Sequence, residues 1–495
     1  MAGAVGRPHH RRRRHRRVRQ RPEHPPGQIP PRQVPGPRHR RPAREIRPAR
    51  DRADDLAHAP EGLAGAARGS GARGSAGRPL RTGVGTRLAG GGPGRTPHPT
   101  AVPHPASDAG DAVIPLSRGL NPHETALAEP LDPGEPPFEL LHGSPSYINV
   151  LDALGAWEAV RALRDHTGTE ACASFKHTSP AGIALGLPSV PGDEEFLDSG
   201  RLPSGQLGRA VVRARSTAPK CSYGDFVAVS GPVTTEAPLF AHAIGVIAPD
   251  FTPGALAALS RFNGGRFIVL RGNPAGPRSA GSTPVPETLE TAGLRLTRSA
   301  APLSGFAGGV RTETGTPGRP EDLAVAVTAV RHAQSNAMAF VVDGATIGIG
   351  MGQQNRLDCT RLAAARARTW QRRHHPDVLG LRFREGIGPA ERAVWRARLA
   401  EGDLTASVRA ELADVLLHPI DAETEPDWSR TPPLSGVTLA ADNHFPFVEV
   451  VELAARLGVT QLVTPEGSTD AGALRDACAE HGMSWVVTGE RFFRH

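Results

Sequence analysis

Cysteine and long hydrophobic runs are both scarce in this sequence of 495 residues. The four cysteines, Cys172, Cys221, Cys359 and Cys478, lie far apart and form no CxxC pair. We therefore expect reduced thiols, with neither a disulfide framework nor a cysteine-based metal site. No apolar run approaches the roughly 18 residues of a transmembrane helix, and the N-terminus lacks the apolar stretch of a secretory signal. These absences predict a cytoplasmic protein that does not contact a membrane.

Lysine is almost absent, although basic residues are common. Lys176 and Lys220 are the only lysines among 58 basic residues, so arginine is used wherever a generic positive charge suffices. A lysine side chain is a compact ammonium whose pKa shifts on burial, which a guanidinium cannot imitate. A lysine next to a histidine at a strand end, as Lys176 is, therefore becomes a candidate for chemistry that needs an amine.

The stretch around Lys176 has the pattern of a buried strand that ends at a loop. Ala171 to Phe175 is a short apolar run, and Ser179-Pro180 predicts a turn after it. Lys176 and His177 would then lie where the strand meets the loop, as a candidate pair for proton transfer and oxyanion stabilisation. The alternative is a surface Lys-His pair without a chemical role.

Positive charge is concentrated in the first 110 residues, which hold 23 arginines and 7 acidic residues. The remainder carries 35 basic and 43 acidic residues, so the net charge of +8 describes a basic segment attached to an acidic body. Residues 1–110 show no sustained hydrophobic periodicity, and their Arg, Pro, His and Gly content predicts disorder. This segment is either a basic arm for a polyanion or an upstream region outside the functional protein. Nucleic acid is not an expected partner of the acidic body.

Residues 111–495 alternate between strand-like and helix-like stretches. This alternation predicts an α/β fold, which we divide into subdomains at 111–330 and 331–495. Amphipathic periodicity predicts a helix at 148–163, and a second helix is predicted at 322–338.

A hairpin is predicted around Asp343-Gly344, and its second strand carries alternating glycines. Gly348, Gly350 and Gly352 leave one face of that strand without side chains. Either another backbone or a ligand must therefore approach this face closely.

Several stretches together resemble one family, the formyltransferase domain of the bifunctional purine-biosynthesis enzyme AICAR transformylase/IMP cyclohydrolase. They follow the family's order and nearly span the ordered body. The matching stretches are Asn121-Pro122-His123, 147–163, 174–182, 222–227, Ile247-Ala248-Pro249, Gln334-Ser335-Asn336, 347–361, Arg373-His374-His375-Pro376, Phe445-Pro446-Phe447 and 491–495. Residues 1–110 show none of the family's cyclohydrolase motifs.

The resemblance implies a pair of tandem cytidine-deaminase-like α/β units and a homodimer with active sites at the subunit interface. It also implies transfer of a formyl group from the co-substrate 10-formyltetrahydrofolate to the 5-amine of AICAR, which gives FAICAR. We expect this activity without cyclohydrolase activity and without a metal in the chemistry. The expected small-molecule partners are AICAR and folate.

The resemblance also assigns roles to residues. His177 matches the family's catalytic histidine and would take the proton from the attacking amine. Lys176 would stabilise the formyl oxyanion or protonate the folate leaving nitrogen, and Asn336 would orient this pair and hold nucleotide. The further nucleotide-binding residues are Arg118, Gly224, Arg356 and Arg491, and the folate-binding residues are Leu357, His444, Ser468 and Thr469. Ser468 also precedes a predicted helix, whose N-terminus is a plausible anion site.

Three departures from the family pattern affect the substrate contacts. Ser117-Arg118-Gly119 stands where the family has Arg-Tyr-Gly, so one nucleotide contact is either lost or supplied by Arg118 in shifted form. Ile244 takes the place of an acidic nucleotide contact, and His444 takes the place of the aromatic residue that flanks folate. Two alternatives therefore stay open: a non-catalytic relative that binds nucleotide, and a formyltransferase for a different aminoimidazole nucleotide.

Overall fold

The computed structural model describes residues 113–188, 203, 205–275, 287–299, 309–402, 404–418, 426–444, 448–467 and 470–495. The predictions for residues 1–110, Ser468 and Thr469 lie outside this part of the chain.

Within the described residues there are ten α-helices and sixteen strands. The helices are α1 (Tyr147–Thr167), α2 (Gln206–Ser216), α3 (Pro253–Leu259), α4 (Pro320–His332), α5 (Arg356–Arg372), α6 (Pro376–Leu379), α7 (Pro389–Glu401), α8 (Ala406–Val415), α9 (Glu449–Ala455) and α10 (Ala471–Glu480). The strands are β1 (Ile114–Leu116), β2 (Ala126–Ala128), β3 (Phe138–His142), β4 (Ala171–Lys176), β5 (Ser179–Leu185), β6 (Phe226–Val229), β7 (Gly245–Ala248), β8 (Ile268–Gly272), β9 (Glu287–Thr291), β10 (Leu294–Arg298), β11 (Val310–Thr314), β12 (Met338–Val342), β13 (Ala345–Gly350), β14 (Val437–Ala441), β15 (Val459–Pro465) and β16 (Ser484–Thr488). The predicted α/β class is confirmed.

A twelve-stranded sheet organises these elements in the order β11-β16-β15-β14-β12-β13-β5-β4-β6-β7-β8-β3. The two ends of this order repeat one arrangement. Each half has a hairpin (β4–β5 or β12–β13), three parallel strands (β6–β8 or β14–β16) and an antiparallel outer strand (β3 or β11). The halves join where Ala184 of β5 lies opposite Ala345 of β13. The tandem α/β architecture is therefore present in one continuous sheet.

Helix α1 shows how the sequence pattern produces the packing. Ala153, Ala156, Val160 and Leu163 recur at helical spacing and are buried against the sheet. The helix ends at Gly168, which adopts the left-handed conformation (φ 68°) typical of a helix C-terminus. The helix predicted at 148–163 is thus confirmed as α1.

The glycine face of β13 is covered by another backbone. A Cβ added to Gly348 would lie 2.4 Å from the Ala363 carbonyl oxygen, and one added to Gly350 would lie 2.3 Å from the Cys359 carbonyl oxygen. Both carbonyls belong to α5. Close packing of α5, rather than a ligand, therefore explains Gly348 and Gly350.

Two local predictions were wrong. Ser179 and Pro180 do not form the turn after β4 but begin β5, and the turn is at His177 and Thr178. The register of the β4–β5 ladder shifts next to Pro180, and a proline without an N–H is tolerated at such an irregularity. The helix predicted at 322–338 ends at His332, because the chain extends into β12. Among the described helices, none is both long enough and apolar enough to cross a membrane.

Candidate active site

One edge of the central sheet brings together the ends of strands from both halves. Strand β4 reaches this edge at Lys176, opposite Ser179, and the antiparallel β6 starts there. Because β13 is antiparallel to β5, it ends at the same edge, where Met338 of β12 lies opposite Gly350 and Ala441. The parallel strands β14, β15 and β16 also end there, and ligands of open α/β sheets bind beyond the carboxyl ends of strands. We call this edge the site edge.

The β4–β5 turn presents a histidine at the site edge. His177 and Thr178 both adopt left-handed backbone conformations, with φ of 55° and 62°. Two-residue hairpin turns favour this geometry, but they usually use Asn or Gly, because a Cβ is disfavoured at positive φ. The turn leaves the His177 side chain exposed. The surroundings must therefore stabilise a conformation that these residue types do not favour.

Lys176 is held beside this turn by a backbone contact. Its Nζ donates a hydrogen bond of 2.7 Å to the carbonyl oxygen of Tyr223. The Tyr223 ring packs on His242 with ring centres 5.0 Å apart. The next residue, Gly224, has a φ of 76°, and a Cβ added there would meet no atom within 4 Å. The ammonium is thus fixed next to this stretch of backbone, and the space beside Gly224 is open.

The loop that holds Lys176 is itself anchored by a buried ion pair. Arg215 Nε and Nη2 each donate to a carboxylate oxygen of Asp225 at 3.0 Å, and Nη2 also donates to the Ser222 carbonyl at 2.6 Å. Asp225 is fully buried and accepts a further hydrogen bond of 2.8 Å from Ser174 Oγ on β4. The bidentate pair joins α2 to the loop, and the Ser174 hydrogen bond joins the loop to β4, so both limit movement of the Lys176 tether.

A second buried carboxylate lies behind the turn. Asp152, on α1, is 5% exposed, and its Oδ1 accepts a hydrogen bond of 2.6 Å from the Thr178 N–H. Burial raises the pKa of the Asp152 carboxyl, whereas the hydrogen bond from Thr178 and the charge of His177 lower it. Asp152 therefore interacts with both residues of the turn.

Asn336 lies at the site edge just before β12. Its Nδ2 donates to the Gln353 carbonyl oxygen at 2.7 Å, and its backbone N–H donates to the same oxygen at 3.2 Å. Its own carbonyl accepts a hydrogen bond of 3.0 Å from the Cys359 thiol. These contacts fix Asn336 to the segment between β13 and α5.

Arg356, the first residue of α5, is 5% exposed and belongs to a buried polar network. Its Nη1 forms an ion pair with the fully buried Asp442 and donates to the Ala337 carbonyl at 3.1 Å. The other Asp442 oxygen accepts a hydrogen bond of 2.5 Å from Ser335 Oγ. Arg356 Nη1, predicted from the sequence to contact nucleotide, is thus committed to a network that ties the end of β14 to the segment carrying Asn336.

The C-terminal residues extend this network. The Phe492 N–H donates to the Asp442 carbonyl at 3.0 Å. The Ser335 N–H donates to the Arg494 carbonyl at 2.9 Å, and the Arg494 N–H donates to Ser335 Oγ at 3.1 Å. Arg494 Nη1 also lies 3.5 Å from Nδ1 of His332, which is buried on α4. The chain terminus therefore supports the Asn336 segment from the side of α4.

His444 and Arg491 lie in one electrostatic neighbourhood. Burial lowers the pKa of the His444 imidazole, and the positive charges of Arg491 and Arg356 lower it further. Arg491 is exposed, and its guanidinium carbon lies 5.3 Å from the centre of the Phe493 ring. His444 Nδ1 and Asn443 Oδ1 are buried and find no hydrogen-bond partner within the described part of the chain. Both atoms have capacity for a polar ligand.

Arg118 and Leu357 lie at the starts of α1 and α5. Arg118 is exposed, and its carbonyl accepts a hydrogen bond of 3.0 Å from the Tyr147 N–H at the start of α1. Leu357 is half-buried and packs against the core of the second half. The first half thus brings Lys176, His177 and Gly224 together, and the second half contributes Asn336, Arg356, Leu357, His444 and Arg491 to the same site edge.

Sequence reasoning missed four charged residues that hold this site: Asp152, Arg215, Asp225 and Asp442. Asp225 could have been found, because it directly follows Gly224 in a stretch that matches the family. Asp442 gave no comparable signal, since it lies 86 residues from its partner Arg356.

No group of three or more His, Cys, Asp or Glu side chains in the described ranges could hold a metal ion. The two halves share one sheet. Its site edge carries an amine, an imidazole and an amide side chain, and this combination of fold and groups is that of an α/β enzyme. A model of the AICARFT/IMPCHase bienzyme family matches residues 97–366, more than half of the chain. The chain belongs to this family of purine-biosynthesis enzymes, which combines formyltransferase and cyclohydrolase activities. The match includes Lys176, His177 and Asn336.

Proposed function

We propose that this chain is the AICAR formyltransferase of its family, acts on AICAR and 10-formyltetrahydrofolate, and has no cyclohydrolase activity. The observation that carries the proposal is the Lys176 ammonium, tethered 2.7 Å from the Tyr223 carbonyl and directly followed by His177 on a left-handed turn. An amine and an imidazole on adjacent residues at one strand end can act on one carbonyl carbon and one incoming nitrogen.

His177 acts as the general base in this proposal. The 5-amine of AICAR is conjugated to the carboxamide and is a weak nucleophile, so it must lose a proton as it attacks the formyl carbon. A bond forms between this nitrogen and the formyl carbon, and a ring nitrogen of His177 takes the proton. The exposed position of His177 at the site edge supports this role, because a substrate amine can reach the imidazole.

Lys176 assists the same step from the adjacent position. It either stabilises the negative charge that develops on the formyl oxygen or gives a proton to N10 of the folate as the old carbon–nitrogen bond breaks. Either role needs a positioned ammonium. The Tyr223 tether and the Arg215–Asp225 pair behind it supply that position.

Both halves supply substrate-binding groups. We assign AICAR to Arg118, Gly224, Asn336, Arg356 and Arg491, and the folate to Leu357, His444, Ser468 and Thr469. The buried Asn443 Oδ1 and His444 Nδ1 support a polar heterocycle at the end of β14, because their hydrogen-bonding capacity is unused among the described residues.

We also propose that two chains associate with their site edges at the interface. His177 and Arg491 are exposed in the single chain, and formyl transfer requires that water be kept from the reactive formyl group. Sedimentation equilibrium gives the mass in solution, and a monomer at the concentration of full activity would contradict this part of the proposal.

The assay that tests the function uses purified protein with AICAR and 10-formyltetrahydrofolate and follows the release of tetrahydrofolate. Turnover that depends on both substrates supports the proposal, and adding FAICAR alone tests for cyclohydrolase activity. Ile244 stands where the family has an acidic residue that contacts the nucleotide. This substitution favours two alternatives to the proposed function. Binding of AICAR without turnover would indicate the non-catalytic relative, and faster turnover with another aminoimidazole nucleotide would change the acceptor.

A further inference from the structure

The turn that carries His177 has one buried charged partner behind it. Thr178 is β-branched and has a φ of 62°, a conformation that such residues rarely adopt. Its N–H is held by Asp152 Oδ1 at 2.6 Å, and Asp152 is 5% exposed. The carboxylate therefore stabilises a turn that the residue types of the turn do not favour.

The same carboxylate interacts with His177 by charge. The His177 charge and the His177 backbone N–H both lower the pKa of Asp152, and burial opposes them as the largest effect. Other charged groups surround the turn. Asp225 raises the pKa of Asp152, Lys176 is adjacent in sequence, and Arg494 would lie 4.0 Å from a Cβ added to Gly155, one turn further along α1. Asp225 is paired with Arg215, whereas Asp152 has no ion pair within the described part of the chain.

We propose that Asp152 is a positioning residue for His177, which holds the turn that carries the imidazole through the hydrogen bond of 2.6 Å from the Thr178 N–H. This proposal rests on the proposed function, because it treats His177 as the base. Asp152 does not touch substrate in this account. It acts through the Thr178 N–H.

A matched control exists in the other half. Asp322 on α4 is 1% exposed and accepts a hydrogen bond from the Gly344 N–H at the β12–β13 turn. It thus makes the same contact as Asp152, a buried helix carboxylate bound to a hairpin turn. The Gly344 carbonyl accepts from the Leu185 N–H at the end of β5, which places this turn at the edge opposite the site edge.

The experiment compares Asp152→Asn, Asp152→Ala and Asp322→Ala. Two readouts are used: the separate changes in kcat and KM, and the hydrogen-exchange rate of the amide of residue 178. The Asp152→Asn variant keeps an oxygen acceptor for the Thr178 N–H. We therefore expect kcat and amide exchange of Asp152→Asn to stay close to the wild-type values.

In Asp152→Ala the turn loses its acceptor, so the amide of residue 178 should exchange faster and kcat should fall about tenfold below that of Asp152→Asn. KM for AICAR should change little, because Asp152 does not touch substrate. Asp322→Ala should leave both readouts at the wild-type values. If Asp152→Ala does not fold, the double variant with Thr178→Gly replaces it, because glycine occupies this φ without steric cost. Wild-type kcat and exchange in Asp152→Ala, or equal changes in Asp322→Ala, overturn the proposal. Because hydrogen exchange needs no turnover, it tests whether Asp152 holds the turn even if the wild type fails to transfer formyl groups.

Discussion

Replacing Lys176 by arginine keeps the positive charge and changes its shape, which makes it a direct test of the proposed chemistry. The Lys176 ammonium is a point donor, 2.7 Å from the Tyr223 carbonyl in a loop fixed by Arg215 and Asp225. A planar, longer guanidinium cannot occupy the same point without moving this loop. Loss of one preorganised oxyanion donor typically raises the barrier by about 3 kcal/mol, which corresponds to a fall in kcat of about 100-fold.

The chain offers a matched control for this variant, because it has only one other lysine. Lys220 forms an ion pair with Glu401, and its side chain is 52% exposed. Lys220→Arg should therefore keep kcat within about twofold of the wild type, since exposed ion pairs contribute little. Steady-state kinetics with saturating 10-formyltetrahydrofolate gives both values. If Lys176→Arg kept a near-normal kcat, the assigned role of the amine would be refuted.

Three further predictions concern the groups that surround the site. Asp442→Asn removes the counter-charge of the buried Arg356, so the free energy of unfolding in urea should fall by about 3–5 kcal/mol; a loss below about 1 kcal/mol would contradict the network. Burial lowers the pKa of His332 well below its ordinary value of 6.5. As pH falls, this imidazole is therefore protonated in the unfolded chain before it is protonated in the folded chain, and the folded state loses stability. Below about pH 6.5 the unfolding free energy should fall by up to about 1.4 kcal/mol per pH unit, a slope that is missing in His332→Gln. Burial raises the pKa of the Cys359 thiol to about 12, so Ellman's reagent at pH 8 should modify the partly exposed Cys221 rapidly and Cys359 only on unfolding.

Sequence patterns predicted the helices and turns correctly where the hydrophobic periodicity or the turn residues match the packing of the folded chain. Helix α1 was predicted correctly because its apolar residues recur on one face, and the β12–β13 turn because Asp343-Gly344 tolerates positive φ. Strand β5 was missed because Ser179-Pro180 resembles a turn. Only the irregular ladder beside Pro180 makes a strand possible there, and such irregularity follows from tertiary pairing rather than from the residues themselves.

The site could be predicted in part for a similar reason. Lys176, His177 and Asn336 belong to short stretches with a recognisable order, whereas Asp152 and Asp442 act on partners distant in sequence. The contact of Asp152 with Thr178 depends on how α1 lies across β4, and that of Asp442 with Arg356 depends on the meeting of two strand ends. Neither of these two contacts can be read from the order of the residues along the chain. The roles assigned to the substrate-binding residues stay predictions.

The central claim is that the imidazole of His177 removes the proton from the attacking amine. Single-turnover transfer of a labelled formyl group to AICAR tests it in wild type and in His177→Ala, with AICAR binding measured in parallel by calorimetry. We predict labelled FAICAR from the wild type, none from His177→Ala, and AICAR binding by both. Labelled product from the variant at a rate close to that of the wild type would contradict the account.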